Sequence, residues 1–111
     1  MTKSPHPIDE RMIAEAVLGY VSRVPGVEVP NREEADLSTV GPGWRVWGIE
    51  VHRVAGALNI TIELIVTLNK KNSIPSLSIR VRRKVRTGIQ SLTSEHIRWI
   101  NLRISDVRFK D

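Results

Sequence analysis

Three histidines and a few carboxylates are the side chains that suggest acid–base or metal chemistry in this sequence. His6, His52 and His96 stand far apart, and none forms a three-residue set with Asp or Glu at ligand spacing on one element. Glu50 and His52 share one strand face, and Glu63 can lie across a hairpin from them. A carboxylate–histidine site of that kind can move protons, but a solvent-side ion pair across the strands explains the same residues and is the reading adopted. Gly41-Pro42-Gly43 lacks the lysine and the following helix of a phosphate-binding loop. Ser73, Ser76, Ser78 and Ser91 sit in no nucleophile-elbow context. There is no cysteine, which excludes disulfides and thiol chemistry and fits a reducing compartment. The expectation is a protein that is no enzyme and takes no cofactor and no metal.

The stronger chemical signal is electrostatic. The net charge is +5, yet residues 1–36 hold seven acids against four bases, and residues 37–111 hold thirteen bases against five acids. No acid lies between Glu63 and Glu95, whereas Lys70, Lys71, Arg80, Arg82, Arg83, Lys84 and Arg86 all do. Solvation alone does not require an isoleucine among arginines, and interface centres are often apolar with Arg anchors. Ile79, Arg80, Arg82, Arg83, Lys84 and Arg86 are therefore the candidate partner-binding residues. Arginine suits bidentate contact with carboxylate or phosphate, so an acidic protein segment or an anionic lipid surface fits this face. A solvated helix face is the plain alternative. Nucleic acid is the competing partner, through a KH-like module. Such a module needs a Gly-x-x-Gly loop, and no two glycines here have that spacing. The tryptophans do not interleave with the basic run either.

These residues need elements to hold them. At 111 residues the natural reading is one domain with a modest core, and 41% hydrophobic residues are too many for disorder. Residues 1–7 read as a loose tail without a signal-peptide core, and no apolar run approaches the roughly 18–20 residues that cross a bilayer. The chain is expected to be soluble and cytoplasmic. Asp9 can cap a first helix, or Pro7 can open it, and the helix runs to about Val24, where Pro25-Gly26 ends it. Ile8, Met12, Ile13, Ala16, Val17, Tyr20 and Val24 form its inner stripe. Ala14, Leu18 and Val21 form a second stripe on the far side and are the candidate self-association residues, since a helix apolar on two faces is deeply buried or touches a partner.

Residues 25–43 read as an irregular, mobile loop, with a possible short edge strand at Val27-Glu28-Val29 blunted by Pro30. A strand over Trp44–Ala55 turns at Gly56-Ala57 into a second, Leu58–Leu68, whose apolar residues alternate with polar ones. Ser73 caps a second helix with Pro75 in its first turn and Leu77, Val81, Val85, Gly88, Ile89 and Leu92 on its inner face; Thr93-Ser94 breaks it. A last strand runs over about Ile97–Phe109, with a phase slip that predicts a bulge near Ser105-Asp106. The expected fold is α/β (α+β): order α-β-β-α-β, two helices on one face of a mixed three- to four-stranded sheet, the Leu58 and last strands parallel through a right-handed helical crossover.

Taken together, the helix running into Val24-Pro25-Gly26-Val27, the Ala55-Gly56-Ala57 hairpin, the Ile74-Pro75 helix start with Val81, Val85 and Ile89, and the closing Ile100-Asn101-Leu102-Arg103-Ile104 strand resemble the alkaline shock protein, or envelope stress response, family of Gram-positive bacteria. The likeness covers roughly residues 8–109. The chain departs from that family in Leu92-Thr93-Ser94, where a Thr-Gly-Leu-like break is usual, in its strongly basic second helix and after Val27. The resemblance implies a non-enzymatic scaffold or adaptor, peripheral to the inner face of the membrane. Its partner would be a small membrane-anchored protein, and homo-oligomers are compatible with it.

Overall fold

The computed structural model describes residues 9–110. The element order is α1 (Glu10–Val21), β1 (Val27–Glu28), β2 (Ser38–Gly41), β3 (Trp44–Trp47), β4 (Ile49–Val54), β5 (Ala57–Leu68), α2 (Ile74–Leu92) and β6 (His96–Phe109). The expected tail at residues 1–7, with His6 and Pro7, and the stripe residue Ile8 lie outside the described residues.

The architecture is α+β, as the periodicities predict. β5 is the central strand. β6 runs parallel along one of its edges, from Ala57↔His96 to Leu68↔Phe109. The other edge is shared: β4 pairs antiparallel with residues 57–62, and β1 with Ile65 and Val66. The alternation in β5 sends Leu58, Ile60, Ile62, Leu64 and Val66 into one core with Ile13 and Val17 of α1 and Leu77, Val81, Val85 and Ile89 of α2. β5 and β6 are parallel with α2 as the connection between them, as expected, and the bulge is the expected one too: Leu64 faces Ile104 and Ile65 faces Asp106, which leaves Ser105 between them. A second register shift, at Arg98, has no counterpart in the phase of the sequence.

Both helices start as their caps dictate. The Asp9 side chain accepts from the Met12 amide at 2.8 Å, and Ser73 and Ser76 form a reciprocal capping box with Pro75 in the first turn. α1 ends at Val21 with Ser22 as its cap, three residues earlier than expected, and Val24 is buried beyond it in a turn. Leu92, expected inside, is 41% exposed. The β4–β5 turn is centred on Ala55-Gly56, one residue earlier than expected, because Val54 already pairs with Ala57.

The largest departures lie between Val27 and Gly48. The expected edge strand exists as the two-residue β1. The rest of the expected loop holds a second small sheet, the β2–β3 hairpin, closed by Pro42-Gly43. The expected strand over Trp44–Ala55 is broken at Gly48, which directs β3 out of the main sheet. Thr39 staples the hairpin to β4: its buried hydroxyl donates to the Ile49 carbonyl at 2.8 Å and accepts from the Val51 amide at 3.0 Å. The hairpin covers the flank of α1, with Arg11 over the Trp44 ring at 6.0 Å from its centroid.

This extra cover overturns the expected outer stripe of α1. Ala14 and Val21 are fully buried, and Leu18 alone of the three reaches the surface. Ala14, Leu18 and Val21 therefore form no exposed apolar stripe. The core sector of α1 is Ile13, Ala14, Val17 and Val21, and Met12, expected inside, is 54% exposed.

α1 and α2 approach closely at one place. The Tyr20 ring lies over Gly88, and its hydroxyl donates to the Gly88 carbonyl at 3.1 Å. A Cβ at Gly88 would sit 2.3 Å from Tyr20 Cε2. Gly88→Ala gains about 1 kcal/mol of helix propensity but overpacks the contact at a cost of about 1–3 kcal/mol. The expected net is a loss of up to about 2 kcal/mol, read from urea denaturation midpoints at an unchanged slope.

Candidate partner-binding surface

The acid–base candidates do not assemble into a reaction centre. Glu50 and His52 form an exposed pair at 3.4 Å. Glu63 is fully buried, and its Oε1 accepts from the backbone amides of Asp36 and Leu37, at 2.8 Å for Asp36. Its own amide donates to the Gly48 carbonyl at 2.8 Å. Glu63 thus fastens the loop before β2 to the main sheet. Among the described residues no group of three His, Cys, Asp or Glu is placed to hold a metal ion.

The chain's acids are largely committed elsewhere. Arg108 takes Glu28 at 2.8 Å and Glu34 at 3.8 Å, and Arg103 takes Asp36 at 3.3 Å. Three acids of the N-terminal third, Glu28, Glu34 and Asp36, thereby meet cations of β6, a pairing invisible in the local sequence. Arg53 joins Glu95 through two hydrogen bonds, Nε to Oε2 at 2.7 Å and Nη2 to Oε1 at 2.9 Å, and reaches Glu10 at 3.7 Å. This ties β4 to the start of α1 and to the α2–β6 connection.

The hydrogen bonding and charge of Arg53 hold the Glu95 carboxyl below its ordinary value against the opposing effect of burial. A carboxyl lowered in the folded state stabilises fully above its unfolded pKa, near 4.3, and loses that contribution as pH falls through the folded pKa. Glu95→Gln is therefore expected to cost about 1–2 kcal/mol at pH 7. The difference from wild type should shrink as pH falls below about 4, measured by urea denaturation across pH.

The basic helix behaves differently on its two sides. Leu77, Val81, Val85 and Ile89 form its buried row. On one side of that row Arg82 turns to the sheet, and its Nε donates to the Ile100 carbonyl of β6 at 3.0 Å. Arg82 thus serves the fold as well as the surface charge. On the other side Arg80, Arg83 and Lys84 meet Arg23, Val24 and Pro25 from the end of α1. With Thr87 they line a groove of about 390 Å³. Among the described residues no carboxylate lies within ion-pair distance of Arg23, Arg80, Arg83, Lys84 or Arg86. Ile79 is 55% exposed and Arg86 half-buried, both outside the lining of the groove.

Of the six residues proposed from sequence, the groove gathers Arg80, Arg83 and Lys84. Arg23, Val24 and Pro25 were missed. In the sequence they read only as the end of a helix; their role depends on α1 and α2 lying antiparallel, which brings Arg23 beside Arg80 across 57 positions of chain.

No protein-family model matches the chain, and no curated protein matches it. Among solved structures it resembles MamM-CTD. A MamM-CTD variant is 9% identical with a TM-score of 0.43, over 93% of this chain and 100% of that one. MamM-CTD 215-293 is 9% identical with a TM-score of 0.42, over 86% and 96%. The copper form of the MamM CTD is 9% identical with a TM-score of 0.42, over 92% and 87%. A likeness this distant says nothing of what the chain binds.

Proposed function

We propose that this chain is a non-enzymatic adaptor that binds an acidic segment of a protein partner at the cationic groove between α1 and α2. The observation that carries this reading is the cluster of Arg23, Arg80, Arg83 and Lys84 around an apolar floor of Val24 and Pro25, with no carboxylate of the described chain to meet them. Like charges held together repel, and an acidic ligand relieves that repulsion. One exposed pair is worth about 0.2–1 kcal/mol, so binding rests on several at once. The guanidinium groups add bidentate geometry that a lysine cluster lacks.

The resemblance to alkaline shock proteins supplies the finer reading. The partner is anchored in the membrane, and the adaptor works in the cytoplasm, peripheral to the membrane's inner face. No helix among the described residues is long and apolar enough to cross a membrane, so membrane association would come through the partner.

The test is to change Arg23, Arg80 and Arg83 together to glutamine and measure recruitment to the membrane fraction of the native cell. At 0.15 M salt, where screening acts over about 8 Å, recruitment is expected to fall by about tenfold or more, equivalent to at least about 1.4 kcal/mol. Unchanged recruitment of a variant with a wild-type circular dichroism spectrum and melting curve would refute the proposal.

A further inference from the structure

The cationic groove shares Arg23 with a second groove, and the two together are termed the valley. The second groove, of about 400 Å³, is lined by Met12, Ala16, Gly19, Tyr20 and Leu92 with Glu15 on its rim. Glu15 is paired with Arg11 at 3.1 Å. Tyr20 lies over Gly88, Leu92 faces the start of α1, and Arg80 faces its end, so the helices run antiparallel and the two grooves follow one another along them. The valley is apolar at the Met12–Leu92 end and cationic at the Arg23–Arg80 end. Met12 and Leu92 are 54% and 41% exposed there, although both continue apolar helical stripes.

We infer that this valley seats one amphipathic, acidic helix of a partner protein. The apolar side chains of that helix would enter the Met12–Leu92 half, and its carboxylates would meet Arg23, Arg80, Arg83 and Lys84. The inference rests on the adaptor reading above and specifies the shape and chemistry of the partner. An apolar strip joined to a cationic one is complementary to a helix with an apolar face and acids toward one end. The 12 residues of α1 span about 18 Å, the length of an incoming helix of about three turns. The apolar and cationic ends follow one another along the helices, a linear pattern that matches one helix rather than a uniformly anionic lipid surface. A second copy of this chain is a poor occupant, because Glu10 and Glu15 of α1 are paired with Arg53 and Arg11, and α2 contains no acid.

Gly19 gives a test that does not depend on the core. A Cβ there meets nothing within 4 Å, and replacing glycine in an exposed helical position favours the helix. Gly19→Leu is therefore expected to fold and to fill the apolar half. The probe is a synthetic 14-residue peptide with leucines at i, i+4, i+7 and i+11 and glutamates over one terminal half, titrated into the isotope-labelled full chain. Controls are a scrambled peptide of the same composition and vesicles containing phosphatidylglycerol. Amide shifts are expected along residues 12–23 and 80–92, with at least fivefold weaker binding of the scrambled peptide. Gly19→Leu is expected to weaken binding at least tenfold, and Arg80→Gln with Arg83→Gln at least fivefold.

No binding to wild type at 1 mM peptide overturns the inference, as does vesicle binding in place of peptide binding. If the arginine variant binds weakly while Gly19→Leu binds as wild type, the cationic groove stands as a docking site and the helix-in-valley inference fails. If both variants bind as wild type, the adaptor reading loses its site as well.

Discussion

Gly48→Ala is expected to lower the stability of this domain by about 2–5 kcal/mol. Two costs combine, and the lower part of that range applies if Val29 can shift. Gly48 has φ 79°, in the left-handed region, where an L side chain costs about 1–2 kcal/mol. A Cβ there would also lie 2.3 Å from Val29 Cγ1 and 3.3 Å from the Pro30 carbonyl oxygen. Val29 has a stiff branched side chain, so overpacking adds about 1–3 kcal/mol. Gly43 separates the two costs. It has φ 77°, but a Cβ added to it meets nothing within 4 Å. Gly43→Ala should therefore lose only the conformational part, about 1–2 kcal/mol. Urea denaturation of the two variants gives the difference directly. If Gly48→Ala is no worse than Gly43→Ala, the approach of Val29 to this corner does not constrain the fold.

Gly48 also shows what the sequence could and could not convey. The long elements were legible because their signal is internal: the alternation of β5, the four-residue spacing of Leu77, Val81, Val85 and Ile89, and the phase slip at Ser105. The β2–β3 hairpin was not legible. Ser38 to Gly43 has Val40 as its one large apolar residue, and Val40 is 57% exposed. The hairpin is held instead by a buried threonine hydroxyl, by Arg11 over Trp44, and by backbone bonds at Gly48, none of which leaves a periodic trace. Without that cover Ala14 and Val21 read as facing outward, whereas both are fully buried.

The basic surface divides the same way. Charge counting located the helix that carries it. It could not separate Arg82, which reaches the Ile100 carbonyl of β6, from Arg80 and Arg83, which line the groove. Nor could it find Arg23, whose place depends on how two helices pack rather than on its neighbours in sequence. The carboxylate read as part of a solvent-side ion pair, Glu63, is on the polar side of the β5 alternation but fully buried, and it meets neither Glu50 nor His52. The use made of it came from a segment read as loop.

Glu63→Ala should carry the largest cost of the single substitutions considered, about 3–5 kcal/mol. Glu63 is fully buried, and its Oε1 accepts from the amides of Asp36 and Leu37. Deleting the side chain leaves two donors without their acceptor at about 1–3 kcal/mol each if they stay buried, and opens a cavity beneath them. The loop before β2 is expected to loosen, because its remaining ties to the main sheet are few: the Gly48 amide on the Leu37 carbonyl at 2.7 Å, and the exposed Asp36–Arg103 pair. Glu63→Gln tests the same contact without the cavity. Its amide oxygen can take the two N–H groups, and its NH₂ replaces Oε2, which is buried without a hydrogen-bond partner among the described residues. One unpartnered atom replaces another, so the change should stay within about 1 kcal/mol. Hydrogen exchange gives the local readout. In Glu63→Ala the amides of Asp36 and Leu37 should exchange at least about tenfold faster, and those of β2 should follow, while the β5–β6 ladder keeps the protection set by global stability. If the two loop amides keep their wild-type rates, the hairpin is held by Thr39, the Arg11–Trp44 contact and the Gly48–Leu37 backbone bond, and Glu63 contributes no more than its place in the strand.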